Sequence, residues 1–499
     1  MTLLATLARL QAAAADRAVP LSRVRHRHLA STPLVIIPLT LAGHPATPVA
    51  AMIGTARGSR QLLTVLQPRN HELRLRFLTR LAQTVLQYIA GRQQSAETVP
   101  AYKTQPERRR YAQAPQVIVP NQASRDYLGL LGRSARFLPT DGPYAVDPAV
   151  PAVGKWLTFL ADNSSQPGSA LLADLTSFLA EHWATGQSPL EDANLAAQLA
   201  WIDPPPGLSG LQAALVAEDP LRCPPAGPAT DPGFDQAVLW PLVQTYDRYT
   251  TARSDAGIKR AAAEIESALR GQLEPTWDAA WNAIALLQAL PEAPSAGRRW
   301  AEDRDLFTRY STYLVDDGRP QPRRDSAVAA ASRLGRLERA QAAYDAQRAL
   351  EDPYILAGLR TIGEAFAGQV VSTDPSRTVR SGTGRLLLRP RFTVRTADPV
   401  RIGTEQTLAC PSYPKLKATI AEVTRSGDSA DVILEVAAGM GTVARPAPDA
   451  VPLVGEQVSC TIDPGYWAPR PFPTADQTPW THGGPPPRPA TGLTQELRP

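Results

Sequence analysis

The stretch Pro33–Gln67, PLVIIPLTLAGHPATPVAAMIGTARGSRQLLTVLQ, governs the reading of the first third of the chain. It contains three apolar runs, Pro33–Leu41, Pro48–Thr55 and Gln61–Gln67, separated by Gly, Pro and Ser residues that favour turns. Each run has the length of a buried strand, and the links are short enough for a meander. Directly after it, Asn70 is placed to cap a helix on which Leu73, Phe77, Leu81, Val85 and Ile89 recur at helical spacing. Ahead of it, Leu3, Leu7, Leu10 and Ala14 mark an amphipathic helix, and Arg9 and Arg17 inside that segment argue against a signal peptide. A further strand is expected at Gln116–Val119, beyond the basic loop Arg108–Arg110.

This order of helix, three strands, helix and strand resembles the core of the restriction-endonuclease-like PD-(D/E)xK fold, from the first helix to Val119. That family holds Mg²⁺ through a carboxylate and a D/E-x-K group on its second and third strands. The strands here carry no acid, and D/E-x-K occurs nowhere in the chain. The resemblance therefore implies a topology without nuclease chemistry. Another small basic α/β domain is the open alternative.

Further along, helical periodicity runs from Pro151 to Gly368, with segments near 152–162, 169–184, 190–202, 208–218, 234–252, 256–271, 275–290, 298–315, 325–350 and 353–367. Ser188-Pro-Leu-Glu191 has the form of a helix start, with a capping serine and a glutamate able to reach back. From Arg385 the period changes to two. Arg385–Arg395, Gln406–Cys410, Lys415–Arg425, Asp431–Ala437 and Glu456–Ile462 read as five short strands, which suits a small SH3-like or OB-like barrel. The last segment is rich in proline, with Trp467, Phe472 and Trp480 interspersed, and suits a flexible tail that docks on the body or a partner.

The expected fold class is α+β, predominantly α-helical. It comprises a basic α/β domain (1–145), an acidic helical domain (151–370), a five-stranded barrel-like module (380–464) and a Pro-rich tail (465–499). No run of apolar residues is long enough to span a bilayer, so no membrane is expected.

Charge is unevenly spread. Residues 1–140 hold 19 Lys and Arg against 5 acids, a net of +14, whereas residues 141–330 hold 14 against 25, a net of −11. GC-rich coding would enrich arginine throughout the chain and does not explain the depletion of acids in one region. Two causes are open. The basic region faces a polyanion such as nucleic acid, or the basic and acidic regions dock on each other. The residues expected to meet phosphates are Arg23, Arg25, Arg27, Arg69, Arg74, Arg76, Arg80, Arg108, Arg109 and Arg110, joined by Arg389, Arg391, Arg395, Lys415 and Lys417 on the barrel.

Catalytic motifs are missing. Gly154-Lys155 is the one Gly-Lys pair, and it lacks the first glycine and the Ser/Thr of a phosphate-binding loop. No GxGxxG follows a suitable strand, and neither G-x-S-x-G nor HExxH occurs. His26 and His28 flank Arg27 in a basic loop where neighbouring arginines oppose a cation. Glu302-Asp303 and Asp316-Asp317 read as acids at helix ends. Cys223, Cys410 and Cys460 are odd in number and far apart, which suits a reducing, cytoplasmic setting without a disulfide framework.

These features predict a non-enzymatic nucleic-acid-binding or scaffold subunit of a bacterial intracellular complex, in DNA processing or phage defence. No metal or cofactor is expected. The expected partners are DNA or RNA and a separately encoded ATPase, helicase or nuclease. A protein–protein scaffold that needs no nucleic acid, and an enzyme without short linear motifs, remain as alternatives.

Overall fold

The computed structural model describes residues 3–101, 106–316, 318, 327–447, 450–463 and 465. The Pro-rich tail lies outside these residues. At the centre is a five-stranded sheet of β1 (Leu34–Leu41), β2 (His44–Ala56), β3 (Ser59–Thr64), β4 (Val117–Val119) and β5 (Leu172–Asp174). Across the sheet the order is β3-β2-β1-β4-β5. The meander β1–β2–β3 is antiparallel, while β4 lies parallel to β1, and β5 parallel to β4.

Every residue of β1 is buried because both faces of the sheet are covered. The period of two divides its side chains between two cores. Leu34 and Ile36 join one core, and Val35, Ile37 and Leu39 the other. The first core is closed by α2 (His71–Arg92), α3 (Gln122–Ala135) and α4 (Ala149–Asn163), with Trp300 and Phe307 from a later helix. Asn70 caps α2 by accepting the Leu73 amide at 3.1 Å, as its sequence position implies. The second core is closed by α5 (Leu175–Ala180), α6 (Leu195–Ile202) and the long α7 (Asp255–Ala289), which contributes Ile265, Leu269, Trp277 and Ile284.

The α/β core therefore runs through residues 145–151 without a break. The fifth strand and both covering layers use residues from the segment read as a separate helical domain. The N-terminal helix Leu3–Ala15 packs beside the ribbon Val19–Pro20/Trp183–Ala184 and the helix Pro353–Ile362. The first helix thus lies away from the sheet, and a hairpin of Ala96–Val99 with Arg108–Tyr111 stands where a basic loop was expected, so the helix, three strands, helix and strand order does not hold as read.

The C-terminal module is a closed antiparallel barrel of six strands, one more than the sequence pattern predicts. They are β6 (Ala365–Asp374), β7 (Arg391–Thr396), β8 (Thr407–Cys410), β9 (Tyr413–Ser426), β10 (Ser429–Ala438) and β11 (Gln457–Ile462), ordered β6-β7-β10-β9-β8-β11 around the barrel. The extra strand, β6, begins at Ala365, inside the helix expected over 353–367, and continues to Asp374. That helix ends at Ile362 because Gly363 adopts φ +82° and turns the chain left-handed into the strand. The expected strand Arg385–Arg395 breaks at Pro390. Leu386–Leu388 forms a separate hairpin with Thr378–Arg380, and β7 alone enters the barrel. Phe366, Phe392, Val394, Leu408, Val432 and Leu434 fill its interior. Among the described residues no helix is long and apolar enough to cross a membrane.

Candidate functional site

Much of the basic excess of the first 140 residues meets the acids of the following segment. Arg9 pairs with Asp192 (3.1 Å), Arg25 with Glu292 (2.7 Å), Arg57 with Asp278 (3.0 Å) and Arg60 with Glu274 (2.8 Å). Arg108 pairs with Asp305 (2.8 Å) and Arg125 with Asp174 (2.9 Å). Arg27 binds Glu181, which also accepts from the Tyr344 hydroxyl at 2.9 Å. Arg110 binds Glu97 and lies 3.6 Å from Asp305.

Of the other arginines expected to meet phosphates, Arg23 donates to the Tyr354 hydroxyl (2.8 Å) and stacks on that ring. Arg69 stacks on Trp240 at 4.5 Å. Arg76 makes a long, exposed pair with Glu72 (3.6 Å), Arg74 is half-buried and Arg80 is exposed. On the barrel, Arg391 pairs with Glu435 and Arg395 with Asp431, each at 2.8 Å, and Lys417 binds Asp463. Arg389 is half-buried and Lys415 exposed. The fifteen positions thus do not form one surface.

One cleft gathers arginines from several elements together with three acids, Glu302, Asp303 and Asp305, the last of them paired with Arg108. This polar cleft of about 840 Å³ is walled by Arg108 and Arg109 on the strand Arg108–Tyr111, by Arg299 and Arg309 on α8 (Pro294–Val315), and by Arg336 on α9 (Ala327–Glu351). Arg109, Arg309 and Arg336 are exposed and make no ion pair among the described residues. Arg299 is anchored instead. It donates to Ser295 Oγ (2.6 Å) and to the His26 carbonyl and stacks on Tyr344, while burial lowers its pKa.

On α8, positions 299, 303, 306 and 309 fall on one stripe, so the helix turns two guanidinium groups and the Asp303 carboxyl toward the cleft. Asp303 is 3% exposed, and it accepts from Ser169 Oγ at 2.9 Å and the Ala170 amide at 2.7 Å. Burial outweighs those hydrogen bonds and pushes its carboxyl up to about 7. Asp303 therefore lies inside α8 and ties it to residues 169–170, rather than solvating a helix end as the sequence suggests. Exposed guanidinium donors from three elements suit recognition of phosphate or carboxylate oxygens, while the carboxyls of Glu302, Asp303 and Asp305 stand in the same cleft.

Other constellations are accounted for by packing. Ser22, His26 and Asp352 approach a Ser-His-Asp grouping, but all three are buried. Ser22 Oγ donates to Asp352 Oδ2 at 2.6 Å, and His26 Nε2 is 3.3 Å from Ser22 Oγ. Asp352 also caps the helix Pro353–Ile362, accepting from the Tyr354 amide at 2.9 Å. His28, the other histidine of the basic loop, stacks on Trp300 and lies 3.3 Å from Glu292.

In a doubly wound sheet ligands enter where the strand order reverses, at the carboxyl ends of the strands. Here that point, between β1 and β4, is filled by residues 226–230. The Thr40 amide donates to the Pro228 carbonyl (2.5 Å), and the Asn121 side chain donates to the Gly227 carbonyl (3.0 Å).

The fold and cleft define a class, a mixed α/β sheet protein with an appended barrel and an arginine-lined groove. Comparison of the chain with protein families, curated proteins and solved structures finds no match. Arg108 and Arg109 were legible as part of a basic loop. Arg299, Arg309 and Arg336 were not, because they stand far along the chain on separate helices. The periodic stripe on α8 was the one signal available for Arg299 and Arg309.

Proposed function

We propose that this chain is a non-enzymatic binding subunit that takes the phosphate backbone of a nucleic acid into the arginine-lined cleft. The observation carrying the reading is that Arg109, Arg309 and Arg336, from three different elements, converge on one groove while most of their counterparts are tied to carboxylates. The reading places the chain in the cytoplasm, in a DNA-processing or defence complex whose ATPase, helicase or nuclease is a separate polypeptide. The barrel, taken as a variant of SH3-like or OB-like modules, supplies a second contact surface through Lys415 and Arg389.

The test is fluorescence anisotropy with generic DNA and RNA duplexes and single strands across a salt series. Binding is expected to weaken steeply with salt. The combined change Arg109→Ala, Arg309→Ala, Arg336→Ala is expected to reduce the magnitude of the log–log salt slope by roughly 2 to 3, about one per lost phosphate contact. Absence of binding at low salt, or a triple variant that binds like the parent, overturns the reading.

A second reading is favoured by the ion pairs linking Arg9, Arg25, Arg27, Arg57 and Arg60 to the acidic segment. In it the charge asymmetry serves internal docking, and the chain is a protein–protein scaffold. Absent nucleic-acid binding supports it.

A further inference from the structure

The sequence separates Cys410 and Cys460 by 50 residues, yet the barrel places their sulfurs 2.8 Å apart. The strands carrying them, β8 and β11, are antiparallel neighbours with Leu408 opposite Ile462 and Ala409 opposite Thr461. One further step in that register sets 410 opposite 460. Directly opposed residues in an antiparallel pair have Cα atoms about 4.5–5.5 Å apart, within the span a disulfide bridges. Both side chains point into the barrel, at 1% and 0% exposure, among Leu408, Val458 and Phe366. The sequence expectation that no two cysteines meet is thereby corrected. Cys223, the third, lies outside the barrel and is half-exposed.

We propose that Cys410 and Cys460 are a redox pair that closes into a disulfide across the β8–β11 seam when the chain meets an oxidised small-molecule disulfide such as oxidised glutathione. The location gives the bond a role. The β8–β11 ladder registers two residue pairs, against nine for β9–β10, so this seam has the least backbone pairing of the two. A covalent link there holds the closing strand, and with it the start of the C-terminal tail, to the rest of the barrel.

The chemistry proceeds by exchange. One cysteine, as its thiolate, attacks a sulfur of the small disulfide. A mixed disulfide forms and one small thiolate leaves. The second cysteine loses its proton and attacks the protein sulfur of that mixed disulfide, forming the Cys410–Cys460 bond and expelling the second small thiolate. The two protons released by the cysteines are taken up by the two small thiolates. The protein is oxidised by two electrons, and one small disulfide is reduced to two thiols. The neighbouring Cys410 and burial raise the Cys460 thiol well above its usual range, so in the closed barrel Cys460 rests as a thiol. Exchange therefore belongs to folding, or to moments when the seam opens.

The experiment uses the full chain, reduced, unfolded in guanidinium chloride and refolded by dilution into a glutathione redox buffer. Free thiols are trapped with N-ethylmaleimide under denaturing conditions, and the mass and peptide map are read. The expected product carries a linked peptide pair containing Cys410 and Cys460, with a mass lower by two hydrogens and label or glutathione confined to Cys223. Its melting temperature is expected to exceed that of the same sample after reduction by about 5 °C or more, since the bond closes a long loop. Label on both barrel cysteines after refolding, or links that involve Cys223 instead, overturns the proposal. Because the mass readout is made on the unmodified chain, it does not depend on whether Cys410→Ser folds. That variant serves to confirm that Cys460 then takes label.

Discussion

Two buried ionisable side chains pull the pH dependence of stability in opposite directions. His182 is fully buried, both ring nitrogens lack a hydrogen-bond partner, and burial lowers its pKa to about 3. In the unfolded chain it titrates near 6.5, so the folded state binds fewer protons between those values. The stability it contributes is complete above about 6.5 and is lost as pH falls toward 3. Asp303 behaves in the reverse sense. Its carboxyl titrates near 7 when folded and near 3.8 when unfolded, so its contribution is complete below 3.8 and lost as pH rises through 7. The expected outcome for His182→Leu is a melting temperature that gains on the parent as pH is lowered from 7 to 4. For Asp303→Asn the gain grows as pH is raised from 5 to 8. Differences that stay constant with pH in either variant contradict the assignment. Asp303 also faces the cleft, so its protonation removes a negative charge from the wall that Arg299 and Arg309 share.

The crossing of α3 and α4 depends on glycine. A Cβ on Gly154 would sit 2.4 Å from the Arg136 amide nitrogen and 2.8 Å from the Ala135 carbonyl carbon, both backbone atoms that cannot rotate away. Gly132 is similarly constrained, with Thr158 N at 2.7 Å. Gly154→Ala is therefore expected to destabilise the protein by roughly 1–3 kcal/mol through overpacking, despite the better helix propensity of alanine. Gly271→Ala provides the contrast. It lies within α7 with nothing within 4 Å of the new methyl, and is expected to be neutral or to stabilise by up to about 1 kcal/mol. Urea unfolding of both variants checks the pair, and equal shifts would refute the packing argument. The same glycines show why part of the fold was hard to read. Gly154 stands in the lone Gly-Lys pair, and Gly129 and Gly132 interrupt the segment that forms α3, although Asn121, Tyr127, Leu128, Leu131 and Ala135 mark its cap and buried face. Runs with strong period-two or helical patterns, such as β1, α2 and β10, were legible because one physical effect, burial of a regular face, sets them. The three-residue β5 is too short to show a period, and it lay hidden in an expected helix over 169–184. The two helices expected over 256–271 and 275–290 are one, because α7 continues through Pro275.

The two cores share one sheet and draw on residues from Leu29 to Phe307. The sheet takes four strands from residues 34–119 and the fifth from 172–174, while Trp300 and Phe307 close one face and Ile265 to Leu287 the other. Among the described residues, eight ion pairs join arginines of the first 140 residues to carboxylates between 174 and 305, several of them partly sheltered from water. Exposed pairs of this kind contribute little each, so the charge asymmetry sets the pairing partners more than the total stability. Burial of the apolar faces of β1 and β4 stabilises the fold more than these pairs do. A fragment ending at residue 145 would leave those faces open to water along with the unpaired edge of β4. Such a fragment, expressed alone, is expected to be insoluble or to lack a cooperative thermal transition. Residues 1–145 and 146–499 expressed together are expected to assemble and co-purify, since the cut falls in the link Asp141–Pro148 between α3 and α4, where Tyr144 is exposed. Size-exclusion chromatography with circular dichroism distinguishes the outcomes. A soluble fragment 1–145 that melts cooperatively would mean that the basic segment has a core of its own, and the ion pairs would then be an interface between two bodies rather than part of one.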